Sequence, residues 1–109
     1  MTKNEMNRLI AERCEGLEVD SNFNVVYPPG QEPSYMWGGG PEIPNYFTDI
    51  AACVRAAEAW VAQDPKARKW WLRRDGNISA TVDQGAVSDG AVMDTPAASL
   101  ATALVGAVK

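Results

Sequence analysis

The sequence predicts an α+β fold: an α-β-α sandwich with a small antiparallel sheet of three to five strands and three helices packed on it. Three observations predict it. Apolar residues recur at helical spacing in three separate stretches. Between the second and third, residues 69 to 83 alternate in the manner of a β-hairpin. The chain has 109 residues, enough for one compact domain spanning 1–109 and not for two. Strands and amphipathic helices in this order pair most naturally as one antiparallel sheet covered by helices, and three helices are enough to cover both of its faces.

The first helix runs from about Lys3 to Glu15. Thr2-Lys3-Asn4-Glu5 fits a capping box, with Thr2 as N-cap and Glu5 reaching back. Met6, Leu9, Ile10, Arg13 and Cys14 follow helical spacing, and Gly16 is a natural stop. Asn24 to Tyr27 is a short strand, ended by Pro28-Pro29-Gly30. From Pro28 to Pro44 the chain holds five of its seven prolines and four of its nine glycines, so this is a long loop. Loops of that length in small domains are functional or mobile. It carries Tyr35, Met36 and Trp37 directly before three glycines.

The second helix starts after Ile43-Pro44-Asn45-Tyr46-Phe47, with Thr48 as N-cap and Asp49 in the first turn, where a negative charge suits the helix dipole. Ile50, Cys53, Val54, Ala57, Trp60 and Val61 form its apolar stripe. Ala51, Ala52, Ala56 and Ala57 permit close approach to a neighbouring element, and Asp64-Pro65 stops the helix. In the hairpin, a two-residue Asp75-Gly76 loop would set Leu72 opposite Ser79 and leave Ile78 on the other face. A three-residue loop, Arg74-Asp75-Gly76, pairs Leu72 with Ile78 and Trp70 with Ala80. It is preferred because it gathers the aliphatic residues on one face. Trp71 and Arg73 then share the other face with Asn77, Ser79 and Thr81. Gly90 to Met93 adds a further strand. Thr95 caps the last helix, Pro96 occupies its first position, and Ala97, Leu100, Ala101, Leu104, Val105 and Val108 line its apolar side.

Composition narrows the function. Apolar residues make up 46% and charged residues 22%, as in an ordinary globular domain. The net charge of −4 argues against a duplex nucleic-acid binder, which needs a basic footprint. The absence of histidine removes histidine-based triads and metal sites, so an enzyme is not expected. Cys14 and Cys53 are read as buried reduced thiols. No metal site or cofactor is expected, and acidic residues such as Glu15, Glu18, Asp20, Asp83 and Asp89 read as solvated charge. No apolar leader or membrane span is visible, so the protein is expected to be soluble and intracellular.

Several segments together resemble the phage ABA sandwich domain family. They are Leu9-Ile10-Ala11-Glu12-Arg13-Cys14-Glu15-Gly16, Pro44-Asn45-Tyr46-Phe47-Thr48-Asp49-Ile50-Ala51-Ala52, Trp70-Trp71-Leu72-Arg73, and Asp94-Thr95-Pro96-Ala97-Ala98-Ser99-Leu100-Ala101. The resemblance implies an α-β-α layered fold, a phage or prophage origin and a location in the host cytoplasm. It brings no catalytic residues. The length of the 28–44 loop departs from the family pattern.

The strongest candidate site is Lys66-Ala67-Arg68-Lys69-Trp70-Trp71-Leu72-Arg73-Arg74, which holds five of the ten basic residues and no acid. Guanidinium groups fork onto phosphate, and an exposed indole stacks on a base. The bland alternative is a strand edge kept soluble by its charges. Lys69, Arg73 and Arg74 are the candidate phosphate contacts, with Trp71, Tyr35 and Trp37 as stacking groups. The expected function is therefore a phage-encoded binding protein that sequesters a small anionic, nucleotide-type signal of host defence. The alternative is a module that binds and inhibits a host protein. A homo-oligomer is expected, with the apolar last helix available to pair with a second copy.

Overall fold

In the computed structural model, which describes residues 2–20, 25–27, 42–75, 77–85 and 88–109, the chain begins with helix α1, Lys3–Arg13. The Thr2 hydroxyl accepts from the Glu5 N–H at 3.2 Å, making one half of the expected capping box. The reciprocal bond from the Glu5 side chain is not made among the described residues. The helix ends two residues earlier than the sequence suggested. Gly16 lies in the left-handed region (φ 67°), which lets the Leu17 N–H return to the Ala11 carbonyl at 3.1 Å.

Strands β1 (Glu18–Asp20) and β2 (Val25–Tyr27) pair antiparallel, Val19 opposite Val26. Strands β3 (Lys69–Asp75), β4 (Asn77–Asp83) and β5 (Ser88–Met93) form a second antiparallel sheet in the order β3-β4-β5. The α+β class, three helices and small antiparallel sheets are as expected; among the described residues the strands form two sheets, of two and three strands. The register differs. Leu72 pairs with Ala80, Trp70 with Val82 and Arg74 with Ile78, a slip of two residues from the expected pairing. A two-residue slip preserves the side-chain alternation, so Trp70, Leu72, Ile78, Ala80 and Val82 still share one face.

Helix α2, Ile50–Gln63, follows the turn at Tyr46–Thr48. Its N-cap is Asp49, whose carboxylate accepts from the Ala52 N–H at 3.2 Å; Thr48, the expected cap, lies one residue too early. The Thr48 hydroxyl instead sits 3.4 Å from the Asn45 carbonyl, which also accepts the N–H groups of Thr48 and Asp49. The buried side of α2 is Ala52, Cys53, Ala56, Ala57 and Trp60, while Ile50 is exposed. The alanines let α2 approach closely, and the Cys53 thiol reaches the Ala97 carbonyl at 3.7 Å.

Helix α3, Pro96–Val108, starts as expected: Thr95 accepts from the Ala98 N–H at 3.1 Å, and Pro96 occupies the first turn. It is the centre of the molecule. It packs along β4 and β5 on one side and against α1 and α2 on the other. That double contact explains why Ala97, Ser99, Leu100, Ala101, Ala103, Leu104 and Val105 are all buried. Ser99 ties it to the sheet: its hydroxyl accepts from the Met93 N–H (3.1 Å) and lies within bonding distance of the Thr95 and Ile78 carbonyls (2.9 and 3.3 Å). The apolar surface that the sequence offered for pairing two copies is therefore used inside the fold.

Candidate functional site

Strand alternation decides which of the basic and aromatic residues of β3 act together. Lys69, Trp71 and Arg73 are exposed and lie on one face, opposite Asp83, Thr81 and Ser79 of β4, which in turn face Ser88, Gly90 and Val92 of β5. This is the outer face of the sheet. The inner face carries Trp70, Leu72, Ala80, Val82 and Ala91 against the core. Trp71 is 39% exposed and Val92 61%. Arg74 is exposed as well, but alternation puts it with Ile78 on the other side. Three of the four candidates on the strand thus come together, and Arg74 does not join them. Tyr35 and Trp37, and with them nearly all of the 28–44 loop, lie outside the described residues.

A strand face with two cations flanking a half-open indole can attract an anion and offer a flat apolar surface to a ring. Ser79 and Thr81 lie beside it, and their hydroxyls donate and accept hydrogen bonds. Asp83, across from Lys69, is engaged in its own turn and accepts from the Gly85 N–H at 2.8 Å. No ion pair ties down Lys69 or Arg73 among the described residues.

The Pro44–Ala52 segment has a structural role. Tyr46 is fully buried, and its hydroxyl donates to the Glu15 carboxylate. Arg55 closes on the other Glu15 oxygen, and the Tyr46 N–H donates to Asn7 at 3.0 Å. Lys3 lies over the Phe47 ring, with 5.9 Å from its ammonium to the ring centroid. Burial and the bond to Glu15 push the Tyr46 phenol well above its ordinary value, so it stays protonated. Glu15 is only 7% exposed at its side chain, so its reading as solvated charge is corrected: it is a partnered, buried anchor. The Cys14 and Cys53 thiols are pushed up to about 12 chiefly by burial, which keeps them inert.

Sequence reasoning overlooked a second polar cluster. Arg13, Gln63, Arg68 and Gln84, with Trp60, Ala107 and Val108, line a cleft of about 220 Å³. These residues come from five parts of the chain, so no local motif announces them. Among the described residues no group of acids and cysteines is placed to hold a metal ion, and no helix is long and apolar enough to cross a membrane.

No protein-family model matches the chain, and no curated protein sequence matches it. The fold is similar to that of a phage protein from Bacillus cereus, known from a 2.0 Å crystal structure. The TM-score is 0.70 at 14% sequence identity, and the likeness covers 99% of this chain and 93% of that one. It is a likeness of fold along nearly the whole length of both proteins.

Proposed function

We propose that this chain is a phage-encoded binding module that takes up a small anionic, nucleotide-type ligand on the outer face of β3–β5. The observation that carries the reading is the placement of Lys69, Trp71 and Arg73 on one exposed strand face, two cations around an open indole. Phage origin is supported by the whole-length fold likeness to a Bacillus cereus phage protein and by the segments resembling phage ABA sandwich domains. Action in the host cytoplasm, by sequestering a signal of host defence, accords with that origin. The absence of histidine favours binding over catalysis.

Titration with a panel of nucleotides and cyclic nucleotides, followed by tryptophan fluorescence, tests the reading. Saturable quenching by at least one member, abolished by Trp71→Ala and weakened by Arg73→Gln, is the expected result. Silence across the panel would sink it. A second reading has its own observation: Val92 is exposed on the same face as Trp71, which suits a protein partner. A stoichiometric host protein captured by the wild type and lost with Val92→Glu would favour that reading. Self-association belongs to the proposal too. With α3 buried inside the protomer, it would use the Val92–Met93 edge, and light scattering of Val92→Lys against wild type reads it directly.

A further inference from the structure

The C-terminal ends of all three helices converge on the cleft of about 220 Å³. Arg13 lies in the last turn of α1, Gln63 in that of α2, and Ala107 and Val108 in that of α3. Arg68 and Gln84 flank the Lys69–Asp83 end of the β3–β4 ladder. Helix C-termini present unpaired carbonyls and partial negative charge. Neutral amides meet several of these carbonyls. Gln63 Nε2 donates to the Arg13 and Cys14 carbonyls (2.9 and 3.0 Å), and Gln84 Nε2 donates to the Ala107 carbonyl (3.1 Å).

Two guanidinium groups remain at the cleft with capacity to spare. Arg68 spends Nη1 on the Trp60 carbonyl (3.0 Å) and Gln63 Oε1 (2.9 Å), and its plane lies over the Trp60 ring, 4.9 Å from the centroid. One edge and one face hold it in place. Its Nε and Nη2 donors have no hydrogen-bond partner among the described residues, and the side chain is half-buried at the cleft. Among the described residues the exposed Arg13 side chain makes no hydrogen bond, and neither arginine is ion-paired. Two full positive charges with no carboxylate partner among the described residues stand against only the partial negative charge of the helix ends, in a chain whose net charge is −4.

We propose that this cleft is a second ligand site, independent of the outer sheet face, that binds a phosphate group between Arg13 and Arg68 with Gln84 as a further polar contact. One guanidinium held on its Nη1 edge and one exposed guanidinium, both lining the same cleft, suit a tetrahedral oxyanion, which has enough oxygens to accept from both forks. The cleft has room for a small phosphorylated molecule as well as the free ion. Because the site uses none of Lys69, Trp71 or Arg73, it stands or falls separately from the nucleotide reading.

Isothermal titration with inorganic phosphate and, in parallel, glycerol 3-phosphate tests it, in chloride buffer of matched ionic strength. The expected result is saturable one-to-one binding of at least one of them. Affinity should fall about tenfold or more in Arg13→Gln and in Arg68→Lys, and stay unchanged in Arg73→Gln. Tighter binding of the ester would identify the ligand as a phosphorylated small molecule, and equal binding would identify the free ion. Arg13 is exposed, so Arg13→Gln keeps the test decisive even if the Arg68 variant fails to fold. The absence of saturable heat with either probe, or wild-type affinity in Arg13→Gln, would overturn the proposal.

Discussion

Glu15 shows how a residue's meaning depends on what closes over it. Its carboxylate would be ordinary surface charge at the end of α1, but Tyr46 and Arg55 cover it. A buried carboxylate is tolerated when its lone pairs are met, and here a phenol and a guanidinium meet them. The two cysteines follow the same logic with the opposite outcome, since burial without partners for the charged form keeps them protonated. Their stabilities are linked to pH. In the unfolded chain the thiols titrate near 9.0, while in the fold they hold their protons to about 12. Above pH 9 the unfolded state therefore binds fewer protons. This contribution is complete below pH 9 and is lost as pH rises from 9 to about 12. The raised Tyr46 phenol acts in the same direction. Urea midpoints measured from pH 8 to 11 should decline through this window, and Cys53→Ala should shallow the decline while lowering stability at neutral pH.

The start of α2 illustrates the precision and the limits of local signals at the level of elements. At Thr48-Asp49 the sequence puts the cap on Thr48 and leaves Asp49 as a charge in the first turn. The structure selects Asp49, because the Asn45 carbonyl draws the Thr48 and Asp49 N–H groups into a preceding turn. Asp49→Ala should therefore cost about 1 kcal/mol in chemical denaturation, and Thr48→Ala no more than about 0.5 kcal/mol. The reverse ranking would refute the assignment. In the β3–β4 hairpin, alternation alone identified the inner and outer faces, so the grouping of Trp71 with Arg73 was legible. The register was not, because several turn lengths keep the same faces and differ only in how the chain reverses near Gly76.

At the scale of the molecule, α3 is the element on which the others depend. It lies between β4 and β5 on one side and α1 and α2 on the other, and Leu100 and Leu104 are sealed from solvent there. Leu104→Ala should cost about 2–5 kcal/mol, at the upper part of that range if the helices and sheet cannot close around the gap. Amide hydrogen exchange should show the α3 core exchanging more slowly than the three-residue strands of the β1–β2 pair, which fewer of the described elements contact. A cost below about 1 kcal/mol would mean that α3 is not the shared core.

The sequence by itself determined the α+β class, the three helices with most of their ends, the hairpin and the two faces of β3. These follow from periodicity, caps and turn residues, which act over a few neighbouring positions. Only the tertiary structure decided that the described strands form two sheets and that α3 is buried on two sides. The same holds for Glu15 becoming an anchor and for Arg13, Gln63, Arg68 and Gln84 meeting at one cleft. Each of these depends on contacts between segments far apart along the chain, where burial and pairing override what any local pattern prefers.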